Sequence, residues 1–327
     1  MNHPLIIVTH NLPDSWLAGL DEHGEVLIGP TTTEESGLST ALRRRLPEAG
    51  GLLSMLTVRV DESLLAAAPH LRVVSNMAVG VDNIDLAACT ARGVPVGHTP
   101  GVLTEATADL TLALLLATAR RLPEAGRDAR AGRWTTWSPD GWLGADLHGA
   151  TLGIVGLGKI GTAVAERARA FGLRLVYAGP NAKSDVEARL GIRRLPFAAL
   201  LAESDFVTLH VPLSPETRHL IDEAALRRMK PGAILINVAR GPVVDSLALY
   251  RALSTGRIAA AGLDVTDPEP LPPDHPLYTL DNCLILPHIG SATHATRRRM
   301  AELAVANVVA GIRGERLPYC ANPAVYR

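Results

Sequence analysis

Cysteine is nearly missing from this chain. The three residues present, Cys89, Cys283 and Cys320, are scattered and odd in number. That excludes a disulfide framework and offers no metal-ligand spacing, so no metal is expected. Charge of one sign is equally absent: Lys and Arg total 32, Asp and Glu 33, for a net charge of −1. A nucleic-acid or membrane-surface partner held by charge is therefore not expected. No long hydrophobic run stands alone. The apolar stretch at residues 5–8 is too short for a signal h-region and has no basic segment before it. Residues 110–119 are apolar but short for a membrane span, and Asp109 and Arg120 bracket them. What is plentiful is apolar material, 47% of 327 residues, enough for two domains with substantial cores. The expectation is a soluble, cytoplasmic protein.

The most informative stretch is TLGIVGLGKIG, residues 151–161. A short apolar run stops at Gly156, and Gly156, Gly158 and Gly161 form a G-x-G-x-x-G. A helical pattern follows at residues 162–171 and a second apolar run at 173–177. Strand, glycine turn, helix and strand within one short unit are the context in which this motif binds a dinucleotide. The first glycine lets the chain turn, the second lets a pyrophosphate approach the backbone, and the third lets helix and strand pack closely. The N–H groups opening the helix would face the phosphates.

Before the motif, strand candidates at residues 5–8, 26–28, 51–56 and 73–75 alternate with helical patterns at 16–20, 34–45 and 61–68. Asp61 is a plausible N-cap of the last of these. Such alternation implies a parallel sheet of its own. The loop MAVGVDNID, residues 77–85, sits at a strand end, where Val79 and Gly80 could offer backbone N–H groups to an anion. Residues 104–121 read as one helix, apolar nearly all round and so buried on several sides. The irregular segment 132–149 then carries three of the four tryptophans, Trp134, Trp137 and Trp142, which suggests an oligomer contact. Beyond the motif, strands at 206–209, 233–237, 259–263 and 283–286 each end in a polar or glycine-bearing loop. A helix at 295–313 and a tail at 317–327, crossing back to the first lobe, complete the chain.

Three of those loops hold groups suited to one chemistry. Arg240 follows ILINVA, and its guanidinium is a bidentate donor for a carboxylate. His288 follows CLILP, and histidine is the natural proton donor near neutral pH. Glu269 stands between Pro268 and Pro270, where a carboxylate held against His288 would favour the imidazolium and fix its orientation. Each is a modest signal alone; together, at strand ends beside a dinucleotide motif, they suggest a site.

VGVDNID, GLGKIG, VARG, GLDVTDPEPLP and LPHIGSAT resemble the D-isomer-specific 2-hydroxyacid dehydrogenase family through essentially the whole chain. The runs LTEATADLTLALLLATARRLPEA and PHIGSATHATR are most similar to the branch that reduces glyoxylate and hydroxypyruvate. The resemblance implies an α/β fold of two doubly wound parallel-sheet lobes. A Rossmann dinucleotide-binding domain, residues 99–289, would be inserted in a flavodoxin-like substrate domain, residues 1–98 and 290–327. It implies that Arg240 clamps the substrate carboxylate, that His288 gives its proton to the carbonyl oxygen, and that Glu269 tunes His288. Val79 and Gly80 would bind the carboxylate, Leu56 would wall the pocket, and Ser291 would lie near the substrate. Asp264 would hold the nicotinamide carboxamide, and Thr107, Pro212, Val238 and Gly290 would line the cofactor beside Lys159 and Ile160. It also implies a homodimer in which Trp137 or Trp142 reaches the neighbouring pocket. Other substrates within the same frame are another D-2-hydroxyacid or phosphite; formate enzymes of the family have Gln where Glu269 stands. A nucleotide-sensing scaffold of co-repressor type shares the fold but carries partner-binding extensions, which are not expected here.

The ribose position suggests NADPH in preference to NADH. The strand at 173–177 runs into Ala178, Gly179, Pro180, Asn181, Ala182 and Lys183, with no acid before Asp185. An NAD-type site usually carries Asp or Glu there for the 2′-hydroxyl. A 2′-phosphate would meet no repulsion, and Asn181 or Lys183 could bind it. Reductase relatives often place Arg directly after the glycine, where this chain has Pro180.

Overall fold

Four apolar residues, LIIV, form the first strand, β1 (Leu5–Val8), and all four are buried. Leu5 and Ile7 face one apolar layer and Ile6 and Val8 the other, as expected of a parallel strand covered on both sides. The computed structural model describes residues 4–31 and 37–327. These fall into two compact units, one running to Leu103 and rejoined by Thr293–Arg327, the other Thr104–Ala292.

In the first unit β2 (Glu25–Ile28), β3 (Ala49–Ser54), β4 (Val73–Asn76) and β5 (Val96–Gly97) join β1 in a parallel sheet of order β2-β1-β3-β4-β5. This is the flavodoxin-like order. Helices Thr40–Arg45, Glu62–Ala67 and Leu86–Ala91 bring Leu42, Leu64, Leu65 and Cys89 to one face. The helix His294–Ile312 packs Met300, Ala304 and Val308 on the other, with Leu12, Leu17 and Leu20 beside it.

The second unit holds β6 (Thr151–Val155), β7 (Arg174–Ala178), β8 (Arg193–Arg194), β9 (Phe206–Leu209), β10 (Ile234–Asn237), β11 (Ala260–Leu263) and β12 (Cys283–Ile285), all parallel. Their order is β12-β11-β10-β9-β6-β7-β8. The chain winds outward from β6 one way and from β9 the other, so the switch point of a Rossmann sheet lies between those two strands. Helices Thr104–Ala119 and Lys159–Ala170 cover one face through Leu112, Leu115, Val164 and Ala168. Arg167 ties those two helices together, its Nε donating to Asp109 at 2.6 Å and its Nη2 to Glu105 at 2.7 Å.

Several elements differ from the sequence expectation, each for a local reason. Residues 16–20 do not form a helix: a single 3-10 turn, Asp14–Trp16, follows Pro13, and Gly19 at φ +81° turns the chain away. Leu17 and Leu20 are buried there regardless. The helix expected over 34–45 is confined to Thr40–Arg45, with the Ser39 side chain accepting from the Leu42 N–H and Gly37 at φ +107° before it. Residues 34–36 of that stretch lie outside the described residues. The strand expected at 51–56 is Ala49–Ser54. The apolar helix stops at Ala119, because Arg121 is left-handed (φ +53°) and Pro123 opens a second helix, Leu122–Arg130. Strand β12 ends at Ile285, one residue short of the expected 283–286, and is half-buried, as befits a sheet edge.

The C-terminal tail is pinned to the first unit by one side chain. Asn322, 6% exposed, accepts the Val96 N–H at 2.7 Å and donates to Val94 O at 3.1 Å and Thr90 Oγ1 at 3.0 Å. Ala321 N–H donates to Val96 O at 2.7 Å, and Cys320 bridges Gly97 antiparallel, so the tail covers the β5 edge. Asn322→Ala strands buried partners, and urea unfolding should show a loss of about 2–4 kcal/mol. A loss below about 0.5 kcal/mol, the scale of an ordinary surface change, would contradict this anchoring.

Candidate active site

The C-terminal ends of β6, β9, β10, β11 and β12 place the glycine turn and four loops at one end of the second sheet. At β6 the turn is compelled by packing. Gly156 has φ +95°, and a Cβ there would lie 2.7 Å from His210 O; a Cβ on Gly161 would lie 2.2 Å from Gly156 O. Gly158 is different, since a Cβ there would meet nothing within 4 Å. The helix Lys159–Ala170 starts at Gly158 with no side chain capping its first N–H groups. Open space over uncapped helix N–H groups is what a pyrophosphate needs, so these residues fit a dinucleotide. Lys159 is exposed at the first helical position and Ile160 half-buried behind it.

At β10 the buried Asn237 shapes the next loop: its Oδ1 accepts the Ala239 N–H at 3.0 Å and its Nδ2 donates to Arg240 O at 2.9 Å. Arg240 Nη1 donates to Ala239 O at 2.8 Å. The following Gly241 approaches the β11 loop so closely that a Cβ would stand 1.8 Å from Thr266 O. In that loop Thr266 Oγ1 donates to Pro268 O at 2.8 Å, and its N–H donates to Glu269 Oε2 at 3.3 Å. The other oxygen, Glu269 Oε1, lies 2.6 Å from His288 Nδ1. A carboxylate can only accept, so Nδ1 carries the hydrogen.

His288 has φ +53°, a strained conformation for a residue other than glycine. The residues after it are clamped by Asp264: Ile289 N–H donates to Oδ1 at 2.7 Å and Gly290 N–H to Oδ2 at 2.8 Å. Asp264 is 1% exposed. Burial pushes its carboxyl up from the ordinary range, against the pull of the Ile289 N–H, the His288 charge and the Gly290 N–H. Thr107 Oγ1 donates to Gly290 O at 3.2 Å, so Thr107 and Gly290 are packed together. Both Asp264 oxygens are therefore engaged by the loop, each retaining a second lone pair. Ser291 is half-buried in the turn that follows. A second histidine, His210, directly follows β9, but burial pushes its pKa down to about 3. It is neutral near pH 7 and a poor proton donor.

In the first unit the predicted substrate residues belong to one polar assembly. The carbonyls of Ala78, Val79 and Gly80 meet Thr99 N–H at 2.8 Å, His98 Nδ1 at 3.0 Å and Asn76 Nδ2 at 3.0 Å. With its oxygens turned to protein partners, this loop can offer its N–H groups to an anion. Asn76 is fully buried, and its Nδ2 also donates to Asn83 Oδ1 at 2.9 Å. Asn83 Nδ2 donates to Val58 O at 2.8 Å and Met55 O at 3.2 Å, which fixes the loop bearing Leu56.

The remaining cofactor candidates lie on loops of the second unit. Pro180, Asn181 and Lys183 are exposed in the loop after β7. Pro212 follows β9, where its carbonyl accepts Thr217 Oγ1 at 2.7 Å, and half-buried Val238 follows β10. The sequence reading passed over Asn76, Asn83, Asn237, Thr266 and Arg194, all of which hold loops. An asparagine closing an apolar strand, as in VVSN and ILIN, was the available signal for two of them. Among the described residues no group of three or more His, Cys, Asp or Glu is placed to hold a metal ion. Burial pushes the Cys89 thiol to about 11 and that of Cys283 to about 12, so neither is a thiolate near neutral pH.

This fold and site define a class: the chain belongs to the D-isomer-specific 2-hydroxyacid dehydrogenase family. Residues 112–290 match the NAD binding domain of that family. The chain is 48% identical over 325 residues to a glyoxylate reductase of Korarchaeum cryptofilum, covering 99% of this chain and 97% of the relative. It is 47% identical over 315 residues to the glyoxylate reductase/hydroxypyruvate reductase of Mus musculus, covering 96% of each. Among solved structures, a Thermus thermophilus protein matches with TM-score 0.90 and 49% identity, covering 97% of this chain and 99% of that one.

The open space at Gly158 separates binding from folding. Gly158→Val should melt like the unsubstituted protein yet bind a nicotinamide dinucleotide at least about tenfold more weakly, read by fluorescence titration, because the backbone approach is blocked. Unchanged affinity would mean that the phosphates do not meet the chain at this turn.

Proposed function

We propose that the protein reduces small 2-keto acids with a nicotinamide cofactor, converting glyoxylate to glycolate and hydroxypyruvate to D-glycerate. The observation that carries this reading is His288, held at Nδ1 by Glu269 and clamped in its backbone by Asp264. Nδ1 is committed to the carboxylate, so the ring would exchange a proton with substrate through Nε2. As an imidazolium it would give that proton to the carbonyl oxygen, and Glu269 would stabilise the cation. Arg240 would bind the substrate carboxylate through its planar guanidinium and favour negative charge developing on the carbonyl oxygen. The bound cofactor would supply the hydride that reaches the carbonyl carbon.

The first unit would serve as the substrate domain, with Val79 and Gly80 N–H groups binding the carboxylate, Leu56 limiting substrate size, and Ser291 near the substrate. In the dinucleotide-binding unit Gly156, Gly158, Lys159, Ile160 and Gly161 would cradle the phosphates. Thr107, Pro212, Val238, Asp264 and Gly290 would surround the nicotinamide end. NADPH would be preferred and NADH accepted, because the loop bearing Pro180, Asn181 and Lys183 places no acid before Asp185. The working form would be a cytoplasmic homodimer. Trp134 and Trp137 are 74% and 78% exposed, and Trp142 stacks under Arg121 with 5.0 Å from guanidinium carbon to ring centroid. Such a surface suits a second copy of the chain. No described helix is long and apolar enough to cross a membrane.

The assigned roles separate in steady-state kinetics with glyoxylate, hydroxypyruvate, pyruvate and bulkier 2-keto acids. His288→Ala should lower kcat about 10²–10⁴-fold, the usual range for a lost general acid, with NADPH affinity retained. Arg240→Ala should raise the keto-acid KM strongly and lower kcat as well. Turnover at the unsubstituted rate in either variant would refute its role. Turnover of bulkier acids alone would keep the reaction and overturn the substrate.

A further inference from the structure

The loop after β7, residues 178–183, carries no arginine of its own, yet a guanidinium sits beside it. Strand β8 pairs parallel with β7, bringing Arg194 level with Tyr177. From there Arg194 reaches the turn directly: its Nη2 donates to Gly179 O at 2.9 Å and to Pro180 O at 2.8 Å, and its Nε to Gly179 O at 3.2 Å. We propose that Arg194 is the residue of this chain that recognises the 2′-phosphate of the cofactor, supplied from the neighbouring strand in place of the position held by Pro180. The inference rests on the NADPH-dependent reading above and names the residue that enforces it.

Three features support the assignment. First, Arg194 is exposed, so its charge is open to a ligand from solvent. Its Nη2 and Nε already bond the two carbonyls, which fixes the plane of the guanidinium and leaves Nη1 as its further donor edge. Nη1 can therefore offer its two N–H groups, from a fixed position and with the full guanidinium charge behind them, to a phosphate oxygen. Second, the loop it holds is fastened at its other end. The Tyr177 hydroxyl donates to Glu187, and the Lys183 N–H donates to Glu187 Oε1 at 3.1 Å and to the Tyr177 oxygen at 2.9 Å. The turn between Ala178 and Lys183 is thus built before any ligand arrives. Third, Glu187 is close enough to feel the Arg194 charge, but its Oε1 is committed to Tyr177 and Lys183. Between the carbonyls that Arg194 bonds and Asp185 there is no other carboxylate on the loop. The ends of β6, β7 and β8 point the same way, which places Arg194 on the side of the sheet where the glycine turn would hold the pyrophosphate.

The test uses ligands that differ only at the ribose. Adenosine 2′,5′-bisphosphate and AMP are titrated calorimetrically against the full-length protein and its Arg194→Gln variant, and NADPH and NADH by fluorescence. Arg194→Gln should weaken adenosine 2′,5′-bisphosphate and NADPH about 10–100-fold, as expected for lost charge-assisted bonds. AMP and NADH, which lack the 2′-phosphate, should weaken far less, with the ratio between the two ligands of each pair falling about tenfold or more. Equal weakening of both ligands in each pair would mean that Arg194 only shapes the loop, overturning the proposal. An unsubstituted protein that selects the 2′-phosphate together with a variant that selects it equally well would also overturn it, while the NADPH reading stands. An unsubstituted protein that binds both ligands of each pair alike would overturn that reading and this proposal together. Arg194→Lys should fall between, since it keeps the charge but cannot hold both carbonyls and a phosphate at once.

Discussion

The carboxylate of Asp264 accepts two successive main-chain N–H groups, from Ile289 and Gly290, out of contact with water. An unpaired charge in that position would cost several kcal/mol, and those two bonds are what make its burial tolerable. They also set the backbone of His288, which stands at φ +53°. A left-handed histidine costs on the order of 1–3 kcal/mol. Two hydrogen bonds to a charged acceptor, at about 1.5–3 kcal/mol each, are enough to hold it. From that fixed backbone the imidazole reaches Glu269, whose own direction is set by the Thr266 N–H. The side chains proposed to move a proton are thus positioned by a carboxylate that the proposed proton transfer does not use.

The same construction recurs through the second unit. At or just beyond two of its strand ends a buried polar residue spends its hydrogen bonds on the loop. Asn237 does this for Arg240, and Thr266 for Glu269. In the first unit Asn76 and Asn83 do it for the loops bearing Val79, Gly80 and Leu56. A parallel sheet needs no polar side chains within its strands, so those at its C-terminal ends are there for the loops.

This division explains how much the sequence revealed. The strands were legible because parallel strands buried on both faces read as continuous or nearly continuous apolar runs, LIIV unbroken and FVTL with one threonine. The glycine turn was legible because its chemistry demands fixed spacing, and Arg240, Glu269 and His288 stood out as candidates because they lie in loops after strands among residues of restricted shape. Helix limits were less legible. The stop at Ala119 and the start after Ser39 depend on a left-handed Arg121 and on a cap, which apolar periodicity does not register. Least legible were the loop-holding residues. Arg194 is fourteen positions from Pro180 in sequence and meets it only because β7 and β8 pair in one register. Nothing in local composition announces such a contact.

The most direct test of the central claim follows the hydrogen itself. Hydroxypyruvate is reduced in a single turnover with NADPH deuterated at the transferring position of the nicotinamide, and the product is analysed by NMR and on a chiral column. The account predicts D-glycerate with deuterium at C2 and an exchangeable hydrogen from solvent on the new hydroxyl. L-glycerate, or product without deuterium at C2, would contradict it.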